Sequence, residues 1–175
     1  DAETTPLHAR HLRQDGLQAF RNHQSDQAIT LFESWARIDP LNEEPWALIG
    51  DVQAHRRNFA AATEAYRRSL HLNPGQTRIV GALARILDAQ MDRRQEAIAL
   101  LNTYTTLFPD NSELALLRTE IDLRAGDHAA ARRRIDDVIA RNPDDLRAHG
   151  LLHALLPGPP ERIQNLNGIA AIATR

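Results

Sequence analysis

The chain has 175 residues, a formal net charge of −2 and no cysteine. The absence of cysteine excludes disulfides, thiol catalysis and cysteine–zinc sites, and the balance of 21 basic against 23 acidic residues argues against a generic nucleic-acid binder. All 21 basic residues are arginine, so no lysine is available as a nucleophile or for a Schiff base.

The first predicted elements form a pair of helices. Residues 1–5 are expected to be a flexible lead-in, and Pro6 suits the first turn of a helix that runs to about Asn22. The partner helix is predicted to begin after Ser25 and to end near Ile38, because its apolar residues recur at helical spacing.

A second pair of helices follows at once. Asn42 is predicted to cap the third helix, with Glu43 and Glu44 in the first turn, where the helix dipole favours negative charge. A turn at residues 57–58 leads into the fourth helix, which is predicted over residues 59–72. These two helices make the most complete unit of the chain.

Three further pairs are predicted in the remainder of the chain. The third pair covers about residues 76–107, and Asn111 is expected to cap the fourth. A last pair over residues 144–156 and 161–173 is divided by a proline-rich stretch at residues 157–160, which ends the first of its helices. We expect this pair to cover the apolar end of a stack of helices. The alternative is that residue 161 begins a linker to a further domain.

Four prolines recur at a regular interval and define a repeat. Each follows an alanine by twelve residues and a bulky apolar residue by eight, a spacing that places both on one face of a helix. The prolines are 34, 35 and 34 residues apart and are Pro40, Pro74, Pro109 and Pro143; the alanines are Ala28, Ala62, Ala97 and Ala131, and the bulky residues are Phe32, Tyr66, Leu101 and Ile135.

This pattern resembles the tetratricopeptide repeat family, and the match extends over about residues 9–144. The third and fourth repeats depart from the family pattern, with Ala84 and Thr119 at the glycine position and Val80 and Ala115 at the tryptophan position. The residues that carry the resemblance are Trp46, Gly50, Ala62, Tyr66 and Pro74 in the most complete repeat, and Gly16, Ala28, Phe32 and Pro40 in the one before it.

The resemblance implies an all-α fold, a right-handed solenoid of about four TPR helix–turn–helix repeats with a C-terminal capping helix pair. It also implies a scaffold for other proteins, although the family serves many different partners. The expected boundaries are 1–5 for the lead-in, 6–41, 42–75, 76–110 and 111–143 for the four repeats, and 144–175 for the capping helices.

In this family the first helix of each repeat lines a concave groove, and here the charge alternates from repeat to repeat along it. One interpretation is two ladders of ion pairs, Arg10–Glu44–Arg78–Glu113 and Asp51–Arg85–Glu120, because neighbouring helices lie about 8–10 Å apart. In the other, Arg78 and Arg85 bind acidic side chains of a peptide. The residues expected to bind a partner are Arg13, Phe20, Asp51, His55, Arg78, Arg85 and Glu120.

The predicted function is a non-catalytic protein–protein interaction scaffold that binds a peptide or partner domain, without cofactor, metal, nucleic acid or membrane insertion. Relatives that bind chaperone C-termini use a lysine/asparagine clamp, whereas Leu17, Leu48 and Ala82 occupy three of the expected clamp positions here. Two alternatives remain open. The chain is a regulatory or substrate-recruiting TPR domain of a larger enzyme, or it is a self-associating structural repeat protein.

Several other groups of polar residues are weak candidates for sites. His149 and His153 have the spacing of two zinc ligands, but the glutamate of the metalloprotease motif is missing, so packing between helices is favoured. His8 and His11 are a weaker pair near the start of the chain. Ordinary solvated helix faces or helix starts account for Asp136-Asp137, Asp144-Asp145 and Arg132-Arg133-Arg134.

The sequence bears only weakly on cellular location. No run of 18 apolar residues occurs, so no membrane-spanning helix is predicted. The exclusive use of arginine suits a GC-rich bacterial genome, and the lack of cysteine suits the periplasm, which is slightly favoured, or the cytoplasm. Because the chain starts at Asp1, we expect a processed mature protein or a piece of a longer one. Bacterial proteins that it resembles often serve envelope assembly, polysaccharide export or secretion complexes.

Overall fold

The computed structural model describes residues 4–156 and 159–173, and over this part of the chain it consists of ten α-helices without a β-strand. The predicted lead-in at residues 1–5 lies partly outside the described residues, since the first helix begins at Thr4. The helices are α1 (Thr4–Arg21), α2 (Ser25–Ile38), α3 (Glu44–His55), α4 (Phe59–Leu72), α5 (Thr77–Ala89), α6 (Arg94–Leu107), α7 (Ser112–Arg124), α8 (His128–Arg141), α9 (Leu146–Leu155) and α10 (Pro159–Ala173).

Short polar side chains and tight turns set the ends of the helices. The predicted cap at Asn111 is confirmed, because its side-chain oxygen accepts a hydrogen bond at 3.0 Å from the backbone N–H three residues later. Asp127 does the same for α8 at 2.9 Å, next to Gly126, whose φ of +80° lies in the region that favours glycine. At α3 the prediction is off by one residue, since Glu43 is the N-cap and Asn42 instead accepts from the N–H of the following Glu44 at 3.0 Å.

The helices up to Arg93 form one compact unit, which we call unit 1 (Asp1–Arg93). In it α1 packs against α2 and α3 against α4, while α2 also contacts α3 and α4 contacts α5. The alanine and aromatic positions of the repeat meet in its core, because small residues let helices approach and large ones fill the space beside them. Residues of this core include Ala28, Phe32, Trp35, Val52 and Ala65.

Two glycines of unit 1 are required by the packing of one helix against the next. A Cβ on Gly16 would lie 2.4 Å from the ring of Phe32, and a Cβ on Gly50 would lie 2.4 Å from the ring of Tyr66. Neither separation is possible between real carbon atoms, so these helices can approach this closely only because the glycines lack a side chain.

Unit 2 comprises Arg94–Arg175, where α6 contacts α7, α7 packs against α8, α8 contacts α9 and α9 contacts α10. Leu116, Val138 and Ala148 form the centre of a small core that joins α7, α8 and α9. The boundary between the two units falls between α5 and α6, inside the third predicted repeat (76–110).

The last helix differs from its prediction in two respects. Pro159 begins α10 instead of ending the helix before it, which suits proline in a first helical turn; the preceding residues 157–158 lie outside the described part. The sequence places Ile163, Leu166, Ile169 and Ile172 at apolar spacing on this helix, but Leu166 is half exposed, whereas the neighbouring Asn165 is 9 % exposed. Hydrogen bonds of this asparagine, described below, account for its burial.

Candidate functional site

Five of the seven residues expected to bind a partner lie close together on unit 1. Contacts link α1 to α3 and α3 to α5 through these side chains, so the three helices share one face. We call it the α1/α3/α5 face and define it by Arg13 and Phe20 on α1, Asp51 and His55 on α3, and Arg78 on α5.

Asp51 is the most firmly held polar group of this face. The hydroxyl of Tyr66 donates a hydrogen bond to its Oδ1 at 2.7 Å, and the two terminal nitrogens of Arg78 donate to its two carboxylate oxygens, each at 3.2 Å. Such a two-point contact fixes the orientation of the guanidinium as well as its position. The side chain of Asp51 is 29 % exposed and that of Arg78 is 65 % exposed, so the arginine is the group presented to solvent.

The titration of two residues reflects this arrangement. Burial, followed by the hydrogen bond to Asp51 and the negative charge of Asp51, raises the pKa of Tyr66 above its usual value. The hydrogen bond to Asp51 likewise raises the pKa of Arg78, although partial burial opposes the shift. Tyr66 is therefore neutral and donates to Asp51, and Arg78 stays charged.

Two further contacts complete the face. Nε of Arg13 donates to Oε1 of Glu44 at 2.6 Å, and both side chains are nearly half exposed. The ring of His55 meets the ring of Phe20 edge to face, with centroids 5.5 Å apart, and His55 is exposed while Phe20 is partly buried. The face thus offers an exposed charged pair, an aromatic edge and an arginine held by a carboxylate.

The predicted ladders are wrong in their pairing within unit 1. Glu44 bonds to Arg13 and not to Arg10, and the partner recorded for Asp51 on α5 is Arg78, where the ladder placed Arg85. In both ion pairs, Arg13–Glu44 and Asp51–Arg78, the first residue occupies a later position in its own repeat than the second residue does in the next repeat. The Phe20–His55 contact, in contrast, joins nearly equivalent positions, 35 residues apart in the chain, so the long arginine side chains choose partners away from the equivalent position.

The remaining two predicted residues are Arg85 on α5 and Glu120 on α7. Arg85 is exposed and lies seven residues after Arg78 on α5, which places both on one side of that helix. Glu120 belongs to unit 2, where it accepts a hydrogen bond from Arg147 at 3.1 Å. This pair is separated by 27 residues, as Asp51 and Arg78 are, so a carboxylate–arginine pair of this spacing occurs in both units.

A buried charged cluster in unit 2 was missed by the sequence analysis. Asp122 is 4 % exposed and lies between Arg118, which is 8 % exposed, and Arg134. Arg118 is in direct contact with the carboxylate, Arg134 donates to it at 2.9 Å, and Arg118 also reaches Asn102 at 3.4 Å. The sequence feature that could have indicated this cluster is the pair Arg118 and Asp122, four residues apart on a side of α7 whose other residues are apolar.

The candidate metal ligand His149 takes part in packing instead. Its Nδ1 lies 3.1 Å from Oδ1 of Asn165 and its Nε2 lies 2.9 Å from the carbonyl oxygen of Pro143, while the amide of Asn165 donates to the carbonyl oxygen of His149 at 2.8 Å. Within residues 4–156 and 159–173, no three histidine, cysteine or carboxylate side chains are grouped to hold a metal ion. The expectation that this histidine packs between helices is confirmed.

Several of the other weak candidates have local partners, although Nδ1 of His153 is buried without a hydrogen-bond partner among the described residues. Asp145 caps α9, because its side chain accepts hydrogen bonds at 3.0 Å from the backbone N–H groups of Arg147 and Ala148. Asp136 accepts a hydrogen bond from Arg132 at 2.9 Å. Arg134 does not belong to a solvated face, because it reaches the buried Asp122. No helix in the described ranges has both the length and the apolar character needed to cross a bilayer.

Comparison with known proteins identifies the fold. Family models described as "Tetratricopeptide repeat" match residues 13–77, 53–121 and 88–155. A curated relative from Escherichia coli O157:H7, the formate-dependent nitrite reductase complex subunit NrfG, is 27 % identical over 106 residues, which cover 60 % of this chain and 54 % of that protein. The chain therefore spans about half the length of this relative.

Solved structures give the same result. PilW, described as a widely conserved type IV pilus biogenesis factor, matches with a TM-score of 0.68 and 17 % identity, over 95 % of this chain and 78 % of its own. YrrB, described as a TPR protein with an unusual peptide-binding site, matches with a TM-score of 0.65 and 12 % identity, over 92 % and 84 %. Identities this low show a common fold and nothing more specific.

Proposed function

Because the chain belongs to the tetratricopeptide repeat family, we propose that it is a non-catalytic interaction module, which binds a peptide or partner domain on the α1/α3/α5 face. The observation that carries the proposal is the Tyr66–Asp51–Arg78 contact. Asp51 holds the guanidinium of Arg78 in one orientation, while the arginine side chain is 65 % exposed. Because the group is already ordered, binding a carboxylate would cost little further conformational entropy.

The contacts of the face define the kind of peptide that fits it. Arg78 and Arg85 on one side of α5 would bind acidic side chains, because arginine pairs with carboxylates through two parallel hydrogen bonds. Phe20 and His55 would receive an apolar or aromatic residue. The exposed Arg13–Glu44 pair contributes about 0–1 kcal/mol to stability, so a partner can exchange with it cheaply. An extended peptide with both charged and apolar residues would fit the arginines of α5, the aromatic pair and the exposed ion pair.

The proposal is tested by affinity capture followed by substitution. Wild-type protein is immobilised, binding proteins from an extract of the source cell are identified by mass spectrometry, and the affinity of each is measured. We expect Arg78→Ala/Arg85→Ala to weaken a genuine partner by roughly tenfold or more, which corresponds to about 1.4 kcal/mol. Arg132→Ala/Arg133→Ala, which removes the same charge from α8 in unit 2, is the matched control. Full affinity in the first variant would refute the proposal.

We also propose that the module serves an assembly in the bacterial envelope, with the periplasm as its compartment. The support is the description of the structural relative PilW as a pilus biogenesis factor. Cell fractionation with an antibody against the protein tests the location. Recovery with the cytoplasmic marker proteins would contradict this part of the proposal and leave the interaction face unaffected.

A second candidate function is a recruiting or regulatory domain within an enzyme complex. The observation that favours it is the relative NrfG, whose description names it as a subunit of a nitrite reductase complex. Under this proposal the captured partner is an enzyme subunit, and the activity of that enzyme changes when the Arg78→Ala/Arg85→Ala variant replaces the wild type. A partner without enzymatic activity favours the scaffold instead.

A further inference from the structure

We infer that unit 1 has a second docking site, a pocket beside Trp46 that takes an apolar side chain flanked by carboxylates from a partner protein. The pocket has a volume of about 340 Å³, at the lower end of the range of roughly 300–1,000 Å³ typical of ligand sites. Apart from Trp46, its walls come from α4 and from the connection before α3. It is lined by Pro40, Trp46, Arg67, Arg68, His71 and Leu72.

The floor of the pocket is apolar and its rim is basic. Trp46, Leu72 and Pro40 supply the apolar surface, and Arg67, Arg68 and His71 supply the polar groups; no carboxylate is among the six lining residues. The next residue after Pro40, Leu41, is 82 % exposed, which is unusual for a large apolar side chain and extends the apolar surface in this part of the chain. An apolar ligand group with negative charge around it matches both features.

Arg68 is held in a position that suits carboxylate binding. Its guanidinium carbon lies 4.7 Å from the centre of the Trp46 ring, a cation–π contact, and its Nε donates to Glu64 at 3.1 Å. An arginine has five N–H donors, and this side chain is 54 % exposed. The ring and Glu64 thus orient the guanidinium, while its terminal nitrogens are the groups that an incoming carboxylate would reach.

The equivalent position in unit 2 is a natural control, because it lacks each of these features. Sixty-nine residues later in the chain, Ala115 replaces Trp46, Asp136 and Asp137 replace the two arginines, and Arg141 replaces Leu72. There Arg141 donates a hydrogen bond to the carbonyl oxygen of Pro109 at 2.7 Å. A neighbouring cavity of about 150 Å³ is lined by only two of the six equivalent positions, Pro109 and Arg141. Trp46 belongs to the repeat pattern, but the fold does not require arginines at residues 67 and 68, since aspartates stand there in unit 2. The basic rim is therefore particular to unit 1 and points to an acidic ligand.

The site is tested with the fluorescence of tryptophan. The chain has two tryptophans; Trp35 is 3 % exposed and Trp46 lines the pocket, so the emission responds to a ligand mainly through Trp46. The probes are two capped peptides with the same central phenylalanine, one with four flanking aspartates and the other with four flanking lysines. We expect a saturable change with the acidic peptide, weakened by salt because the rim charges are screened, and binding at least about tenfold weaker with the lysine peptide.

Two variants locate the binding. Arg67→Asp/Arg68→Asp copies the charge of unit 2 and is expected to weaken the acidic peptide about tenfold or more, and Leu72→Arg copies the residue that occupies this position in unit 2 and is expected to abolish binding. Arg132→Asp/Arg133→Asp, with an identical change of charge on adjacent residues of α8, is expected to bind as the wild type does. Circular dichroism melting confirms that each variant is folded, and the arginine pair is at the surface, so its substitution preserves the core.

Three outcomes would overturn the inference. Equal binding of the lysine peptide would show that the rim does not select negative charge. Loss of the acidic peptide in Arg78→Ala/Arg85→Ala, together with its retention in Arg67→Asp/Arg68→Asp, would place the peptide on the α1/α3/α5 face. Concentration-dependent dimerisation that Leu72→Arg abolishes would show that a second copy of the chain occupies the pocket.

Discussion

At the scale of single residues, Tyr66 connects the packing of unit 1 to the chemistry of its surface. Its ring occupies the space beside Gly50, and its hydroxyl reaches Asp51, which in turn holds Arg78. Gly50, which permits the close packing of Tyr66, thus also determines where the exposed guanidinium of Arg78 lies. Substitutions along this series of contacts separate the packing contribution from the polar one.

Gly50→Ala is expected to destabilise the protein, because its new Cβ would lie 2.4 Å from the Tyr66 ring. Overpacking of this kind costs about 1–3 kcal/mol, which exceeds the gain of about 1 kcal/mol from alanine's helix propensity. Gly150→Ala on α9 is the control, since nothing lies within 4 Å of its Cβ position, and it should stabilise by about 0.5–1 kcal/mol. Urea unfolding measures both; equal effects would refute the steric argument.

Stability at alkaline pH reports on the ionisation of the tyrosine side chains. The chain has no lysine and no cysteine and only two tyrosines, and burial raises the pKa of Tyr104 as well as that of Tyr66. A raised folded-state pKa adds stability that is fully present below the unfolded value, 10.0, and is lost as pH rises toward the folded value. We expect stability measured in urea to fall above about pH 10, and Tyr66→Phe to show a shallower fall. An unchanged slope in the variant would contradict this assignment.

Asp122 is expected to be the most costly carboxylate to remove. Asp122→Ala leaves Arg118, at 8 % exposure, without its main counter-charge, and breaking a buried pair from one side costs about 3–5 kcal/mol. Asp136→Ala is the matched control, because its pair with Arg132 is about half exposed and is worth about 0–1 kcal/mol. Thermal and urea unfolding of the two variants measure the difference, and similar losses would contradict the burial argument.

At the scale of secondary structure, the helices of a pair are held by apolar packing, whereas α10 is attached to α9 through polar groups. Asn165 is buried and bonds to both the ring and the backbone of His149. Leu166, the apolar residue beside it, is half exposed. A helix whose contact depends on a few hydrogen bonds is expected to open more easily than one held by a continuous apolar core.

Asn165→Ala should therefore loosen α10 without unfolding the rest of unit 2. The loss leaves the carbonyl oxygen and Nδ1 of His149 without Asn165 as their partner, which costs about 1–3 kcal/mol. Hydrogen exchange measured by mass spectrometry should show faster exchange across α10 and unchanged exchange across α7 and α8. Asn167→Ala, an exposed residue of the same helix, serves as the control and is expected to exchange as the wild type does.

At the scale of the whole molecule, the charge is close to neutral but its local distribution is not. The two pocket positions described above carry opposite charges, with Arg67-Arg68 in unit 1 and Asp136-Asp137 in unit 2. Such an asymmetry favours recognition of one kind of partner at one position over uniform contact along the chain. The proposed interaction module and the self-associating alternative differ in what they predict for this molecule in solution.

For an interaction module we expect a molar mass that does not change with protein concentration, since its binding groups serve a different protein. A self-associating repeat protein would instead grow with concentration, because contacts between copies that do not close generate open assemblies. Multi-angle light scattering over a hundredfold range of concentration distinguishes the two. A mass that rises steadily over that range would favour the self-associating protein.

Much of the fold was predictable because its determinants are local. The four evenly spaced prolines and the alanine and bulky residues before them predict helix pairs, and the all-α fold and the family are confirmed. The cap at Asn111 is confirmed, since a cap depends on a side chain and a backbone N–H only three residues away. The predicted start of the last helix was late by two residues, because a proline can open a helix as well as end one.

The candidate site was predictable only in part. The sequence selected side chains that do lie near one another, such as Phe20 and His55, because the repeat register shows which side of each first helix they share. It paired Glu44 with Arg10, whereas the structure pairs it with Arg13. That choice depends on where the long arginine side chain reaches between helices, which tertiary packing decides and a repeat period does not record.

The sequence by itself determined that this chain forms pairs of helices and which family it belongs to, because helical periodicity, capping and proline placement act over a few residues. Only the tertiary structure decided that Arg78 is held by Asp51 and Tyr66, that Asp122 is buried between two arginines, and that a pocket exists beside Trp46. Apart from the Arg118–Asp122 contact within α7, these features join residues that are distant in the chain, such as Asp122 and Arg134, 12 positions apart, and Asp51 and Arg78, 27 positions apart, and their geometry depends on how the helices pack.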